Sequence, residues 1–586
     1  MLGSSFLPQQ ETSSSDHILI KKRLQIKDKR HHQLNLNPEN LTLQSMKRQD
    51  ADIWKFSQSK PRFPEDLSRP FVKTIKSGSH LQELHFEHFD TGFLTRNAPQ
   101  KLYHICQALK NLSSLQTVIF KFLDCNKMTD ANLYHISQGL KRISGLKSLT
   151  LHFLGLIQIT DKGLYEMSRC LCKFTSLETL TLKLSRSEGI TSKGLKYLAK
   201  TLKRLGSLSS LSLEFGQNNS KIREGLESIS EAIRSLTSLE SLNLELSAYL
   251  RFSSLGDSLK NLRTLKSLRL WLGLLLQIDD QALKDLSQGL KELVVLENAS
   301  FHFEWLYGIT DSWLVILSEG LKNARNMRDL RLNLWHCSGV TEGGMKSFGE
   351  TLKNFASLNK ISLRFLKCLD ISDAELISIN ESLKTLAVLK EILLDFSFCS
   401  KLSDKGLESV AEVLSSLSEL STVNLIFNHC LEITTAGLES LGKGLKSPAL
   451  LRTINLGFSG CHKITDLGLE SIAQTLKNTA TLENLSFCFE NCWTITNKGV
   501  SEIVSCLRNL IGLRSLSLKF EHSQKVSTES LVDLSDVLKR HTCLQTISLT
   551  IDNSYKPDPS LYEISMALRK LIGLSKTCIK INSCSW

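Results

Sequence analysis

Seventeen apolar anchors, all but one of them leucine, recur along the chain at a nearly fixed step, and this repeat limits the possible folds more than any other feature. The phrases LETLTLKL from Leu177, LNKISLRF from Leu358 and LRSLSLKF from Leu513 are examples. The anchors are Leu81, Leu115, Leu146, Leu177, Leu208, Leu239, Leu265, Leu296, Met327, Leu358, Leu389, Leu420, Leu451, Leu482, Leu513, Leu544 and Leu574. Of the 16 intervals between them, 13 are 31 residues long, and the others are 34, 26 and 30. A fixed period in this range marks a stacked array of small units. The 586 residues therefore need not be divided into the four or so ordinary domains that length alone would suggest.

Each unit changes period once. Apolar residues three, five and seven places after the anchor (Leu180, Leu182, Leu184; Ile361, Leu363, Phe365) alternate with polar ones, which predicts a strand. About six residues later, ITDKGLYEMSRCLCKF from Ile159 shows a helix start. Thr160, Ser372 and Thr465 are placed as N-caps, with Asp161, Asp373 and Asp466 in the first turn, where the helix dipole favours negative charge. Leu164, Met167 and Leu171 then follow at helical spacing, so the unit is one strand and one helix of about four turns. One such unit cannot cover both faces of its strand. The prediction is an α/β solenoid in which parallel strands line the inside and helices the outside, joined by right-handed crossovers.

The pattern LxxLxLxF, a cysteine ten places after the anchor and then [IV]-[TS]-D-x-G-L resembles the leucine-rich repeats of the ribonuclease-inhibitor-like superfamily, in particular its cysteine-containing subclass. The resemblance spans residues 81–586 and implies a horseshoe of about 16 repeats. The longer unit and the phenylalanine where a shorter strand would end depart from the family pattern. No F-box-like helical motif precedes the array, so the resemblance does not extend to a ubiquitin-ligase role. It implies a non-enzymatic scaffold that binds a protein partner. The alternative it leaves open is regulation of a small GTPase, for which no matching catalytic motif is present.

Residues 1–80 differ in kind. They hold five of the nine prolines, the serine run Ser13 to Ser15 and the basic stretch IKKRLQIKDKRHH from Ile20, with 14 Lys and Arg against 8 Asp and Glu. We read them as a flexible basic leader whose end caps the first repeat, with residues 81–586 as the array. No apolar run approaches the roughly 18 residues of a membrane span, and no secretory signal opens the sequence. A cytoplasmic protein is expected, with nuclear import as the alternative that the basic leader allows.

The net charge of +13 raises nucleic acid as a partner. Much of it has a local cause, since Lys or Arg stands 26 residues after the anchor in 12 units, where a helix C-terminus favours a cation. Nucleic acid is therefore not the expected partner. Seven cysteines (Cys125, Cys337, Cys368, Cys399, Cys430, Cys461, Cys492) share the tenth place. Such a column invites a metal or redox reading, but no Cys-x-x-Cys chelate occurs, and cysteine serves as a small buried residue in the turn that leaves the strand. No cofactor and no metal are expected. The stretch from Gly437 to Gly444 lacks the Ser or Thr of a phosphate-binding loop and lies within a helix. No hydrolase, kinase or zinc-protease signature appears, so no enzyme is expected.

What remains is the inner face. Residues four, six and eight places after each anchor point away from the core. Between Leu265 and Leu389 these positions turn aromatic and charged: Trp271, His302, Glu304, Arg331, Asn333, Trp335 and Arg364, with Trp305 just past a strand. Trp and Arg are enriched at binding hot spots. This cluster is the candidate partner-binding surface of a chain expected to be monomeric.

Overall fold

The computed structural model describes residues 33–34, 42–48, 51–57 and 81–88, most of 106–553, and 576–583. Strands and helices alternate throughout the array: strand Ser148–Leu154, helix Asp161–Leu171, strand Thr179–Ser185, helix Ser192–Leu202, and onward to strand Thr546–Asn553. Each strand pairs in parallel with the next, and the register advances by one repeat, so that Leu332, Leu363, Leu394 and Leu425 stand side by side. The chain is thus a leucine-rich repeat solenoid. Within residues 1–80, strand Thr42–Arg48 runs antiparallel to Ala51–Ser57, which in turn pairs in parallel with Glu83–His88. Gln33–Leu34 pairs antiparallel with Thr42–Arg48, and the remainder of the predicted leader, its basic stretch included, lies outside the described residues.

The period-two pattern sets the burial. Strand Ser210–Phe215 alternates half-buried and buried positions, and the third, fifth and seventh places enter the core. Helices cover them from the other side; in Asp466–Leu476 the buried face includes Leu469, Ile472, Ala473 and Leu476. Most helices have 11 residues, about three turns rather than the four expected, because the chain leaves the helix at the recurring Lys or Arg. Lys322, Lys353 and Lys384 each stand at the C-cap. Helices are about 10 Å wide while strands stand about 4.8 Å apart, so the stack bends with its strands on the concave side.

Two columns hold the strand ends together. At the seventh place, Phe365, Phe396, Phe427, Phe458, Phe489 and Phe520 stack in sequence, with centroids 5.3 to 6.0 Å apart and planes within 19°. Each fully buried ring is worth about 1.5–3 kcal/mol of transfer free energy. At the tenth place, the thiols from Cys399 onward donate to the phenylalanine carbonyl of the preceding repeat: Cys399 to Phe365 at 3.1 Å, Cys430 to Phe396 at 3.3 Å, Cys461 to Phe427 at 3.1 Å and Cys492 to Phe458 at 3.2 Å, while Cys368 donates to Leu334 at 3.7 Å. Ser523 fills the same place one turn on and donates to Phe489 at 3.2 Å. A hydroxyl doing the thiol's work identifies the position as a buried donor. The described cysteines are unpaired, and Cys125 lies outside the described residues. Burial pushes the Cys430, Cys461 and Cys492 thiols up to about 12, so they are not thiolates near neutrality.

A third column departs from the sequence expectation. The first-turn aspartate was assigned to its own helix, but it also clamps the next one. Asp373 Oδ1 accepts from Ser403 N–H at 2.8 Å and Gly406 N–H at 3.1 Å, while Oδ2 accepts from the Ser403 hydroxyl at 2.5 Å. Asp130, Asp161, Asp404 and Asp466 bond the following N-cap in the same way. Each carboxylate thereby satisfies free amides at the start of the neighbouring helix and ties adjacent repeats across their outer layer. The glycine in the first turn of the next helix, 33 residues after the aspartate, makes room, since a β-carbon on Gly406 would lie 2.7 Å from Asp373 Oδ1.

The 26-residue unit that begins at Leu239 carries a shortened helix, Phe252–Leu259. Gly256 packs so closely on the next helix that a β-carbon there would lie 2.1 Å from the Asp285 carbonyl oxygen. The deletion is absorbed by drawing two helices together through backbone contact.

Candidate functional site

The strand register brings the sixth-place residues into one lateral row. Trp271 stands opposite His302, His302 opposite Asn333, Asn333 opposite Arg364, and Arg364 opposite Asp395. The Trp271 and His302 rings are 4.8 Å apart, and Asn333 Nδ2 lies 3.0 Å from His302 Nδ1. Asn333 Oδ1 is buried with no hydrogen-bond partner among the described residues, an acceptor that a ligand could use. Arg331 lies one step away at the fourth place, exposed and held by a two-pronged pair to Asp329 at 3.0 and 2.7 Å. The hydrogen bonds to that carboxylate raise the arginine further above its ordinary range.

Trp335 is half-buried and stands in register with Glu304, of which only the backbone is described; Trp305 lies outside the described residues. The row ends at Asp395. Burial raises the pKa of this carboxylate, and hydrogen bonds from Ser397 with the charge of Arg364 offset part of the rise. The structure therefore assembles Trp271, His302, Asn333 and Arg364 into a continuous strip, with Arg331 and Trp335 flanking it. Sequence reasoning missed Arg269, which is exposed beside Trp271 on the same face. Its fourth-place position, held in most units by small polar residues, was the available signal.

A second group of residues was not anticipated. At the ninth place the backbone enters the left-handed region at His336, Lys367, Phe398, His429, Asn491 and His522, with φ between 54° and 65°. Gly155 and Gly460, in the same column, are of the residue type that this conformation prefers. For the others it costs about 1–2 kcal/mol each, less for asparagine. The geometry is imposed by the ladder. Each ninth-place N–H still donates to the next repeat, as Phe398 does to the Asn428 carbonyl at 2.7 Å and His429 to Ser459 at 2.7 Å, while the chain must turn to send the following cysteine inward.

The side chains of this column gather on the rim where the strands end. Phe398 stacks on His429 at 4.4 Å, and Lys367 Nζ lies 5.4 Å from the centre of the Phe398 ring; two places further along the chain, at the eleventh place, His462 stacks on Trp493 at 4.1 Å. Leu369 is 56% exposed, Leu431 44% and Phe398 39%. They border a groove of about 410 Å³ shared with His336, Lys367, Ser400 and His429. Desolvation lowers the pKa of His336 and of His429, so their imidazoles are neutral near pH 7.

Among the described residues no group of three or more His, Cys, Asp or Glu side chains is placed to hold a metal ion, and no helix is long and apolar enough to cross a membrane. No protein-family model and no curated protein matches the sequence. Among solved structures, the chain is similar to yeast Rad7 from its complex with Elc1, at 14% identity and a TM-score of 0.40, over 84% of this chain and 94% of that one. It is also similar to an LRR protein of Leptospira interrogans, at 17% identity and a TM-score of 0.35, over 77% of this chain and 92% of that one. Likenesses this remote say nothing of a partner or an activity.

Proposed function

We propose that the chain is a non-enzymatic scaffold that holds a protein partner against its concave strand face. The observation that carries this reading is the strip from Trp271 through His302 and Asn333 to Arg364, one residue per strand and in register. The repeat has no structural use for these side chains, because the third, fifth and seventh places build the core. The strip also leaves one buried acceptor, Asn333 Oδ1, without a partner among the described residues. Aromatic, amide and guanidinium groups on a pre-formed sheet make a surface whose ordering cost on binding is low.

The test compares two surfaces of the full chain in affinity capture followed by binding measurement. A partner that meets the concave strip should be retained by Lys446→Ala on the helix side, with affinity changed by less than about 0.5 kcal/mol. It should be lost from the double variant Trp335→Ala, Arg331→Ala, with a penalty of about 2 kcal/mol or more. Loss on the helix side with retention by the double variant would move the site to the basic edge. Recovery of a small GTPase whose hydrolysis rate rises with the chain would replace the scaffold reading by a regulatory one.

A further inference from the structure

The rim groove carries a reading independent of the concave strip. Four of its lining residues, His336, Lys367, Phe398 and His429, occupy left-handed backbone positions at which asparagine or glycine would be less strained. Strain that the sequence could relieve by ordinary substitution, and does not, points to a use for the side chains. Leu369, Phe398 and Leu431 form the exposed apolar part, although exposed apolar side chains normally appear singly.

The charges around the groove are unbalanced. Lys367 has no ion-pair partner among the described residues, and no carboxylate lines the groove. The acidic groups next in sequence to lining residues Leu369 and Leu431 are already engaged: Asp370 with Lys401 at 3.1 Å and with the Gly339 N–H at 3.1 Å, and Glu432 with Lys463 at 2.6 Å. His336 and His429 add imidazoles that can form hydrogen bonds. The groove crosses the repeats anchored from Met327 to Leu420. Three strand spacings of about 4.8 Å match roughly four residues of an extended chain.

We propose that this groove docks a short extended segment of a partner protein in which a carboxylate stands beside bulky apolar side chains. The carboxylate meets Lys367, and the apolar side chains lie on Leu369, Phe398 and Leu431.

The full-length chain, immobilised, is used to select from a random peptide library, and the most enriched peptide is synthesised with a fluorescent label for anisotropy titration. Enriched peptides are expected to combine Asp or Glu with Leu, Ile or Phe. Lys367→Asn and Phe398→Asn should each weaken the labelled peptide by roughly tenfold or more. Their melting temperatures should stay close to that of the parent, because asparagine accepts the left-handed backbone. Arg331→Ala on the concave face should leave peptide affinity unchanged, so failure of this proposal and failure of the concave reading are told apart. Enrichment of basic peptides, no enrichment, or full retention of binding by both asparagine variants would overturn the proposal. Displacement of the peptide by single-stranded RNA but not by an excess of unlabelled acidic peptide would also overturn it.

Discussion

Alanine at Gly406 has opposite expected signs depending on whether the carboxylate ladder between repeats is real. Gly406 lies in the first turn of helix Asp404–Ser416. In an ordinary helix, alanine in place of glycine stabilises by about 1 kcal/mol. Here its β-carbon would fall 2.7 Å from Asp373 Oδ1 and 3.2 Å from Leu376 Cδ2, so the carboxylate must withdraw. Withdrawal breaks three hydrogen bonds, to Ser403 N–H, the Ser403 hydroxyl and Gly406 N–H. Hydrogen bonds to a charged group contribute about 1.5–3 kcal/mol each when sheltered. These are only part-buried and water can replace some of them, so a total loss of about 2–3 kcal/mol is the better figure. Subtracting the helix gain leaves Gly406→Ala destabilising by about 1–2 kcal/mol.

Asp373→Ala should cost about 2–3 kcal/mol. With the aspartate gone the obstruction is gone, and Gly406→Ala added to Asp373→Ala should stabilise by up to about 1 kcal/mol. The coupling between the two sites is then about 2–3 kcal/mol. Urea denaturation of the four proteins gives the cycle. Because repeat arrays can open regionally, hydrogen exchange at the Ser403 and Gly406 amides should accompany it. A stabilising Gly406→Ala in the parent chain, or additive effects, would refute the clamp.

Three further outcomes follow from the columns. The thiols at the tenth place keep their protons in the fold to about pH 12 and lose them near their ordinary values once unfolded. Above about pH 9 the unfolded chain therefore binds fewer protons, and stability should fall as pH rises towards 12. The triple variant Cys430→Ser, Cys461→Ser, Cys492→Ser should flatten that slope in thermal melts, and an unchanged slope would count against these thiols as its source. Leu363 is fully buried between Leu332 and Leu394, so Leu363→Asp should cost more than about 4 kcal/mol and yield insoluble or unfolded protein. Phe398→Asn should change stability by less than about 1 kcal/mol in urea melts, since relief of the left-handed strain offsets the lost stacking on His429; a loss of several kcal/mol would show that the ring is structural.

The parts legible in the sequence were those defined by a position's own period. Leu363 and Phe365 were assigned inward because alternation within one strand decides the face. The row from Trp271 to Arg364 was legible because most units share one length, so equal offsets become lateral neighbours. What touches what across that step was not. Asp373 recurs beside an N-cap and reads as serving its own helix; only the stack shows that its oxygens reach the helix 30 residues on. The first-turn glycines Gly163, Gly194, Gly406, Gly437 and Gly499 recur as faithfully, but their reason lies in the aspartate of the preceding repeat. The left-handed column was hidden for a different reason. Lys and Phe argue statistically against positive φ, and the requirement comes from the ladder bond at the ninth place together with the inward turn at the tenth.

These constraints also delimit where recognition can be written on such a chain. The third, fifth and seventh places are filled by the core, the tenth by a donor to the neighbouring carbonyl, and the helix start by the clamp. Freedom remains at the outward strand places and at the ninth, where the backbone is fixed but the side chain is not. Both sets become chemically distinctive in overlapping stretches, the concave strip running from Leu265 to Leu389 and the rim groove from Met327 to Leu420. The eighth-place residue Trp335 and the ninth-place His336 are adjacent in the chain, with rings 5.8 Å apart. A partner reaching over the end of the strands from the concave face would arrive on the groove without leaving contact, so one extended partner could engage both surfaces and gain by linkage what neither patch supplies alone.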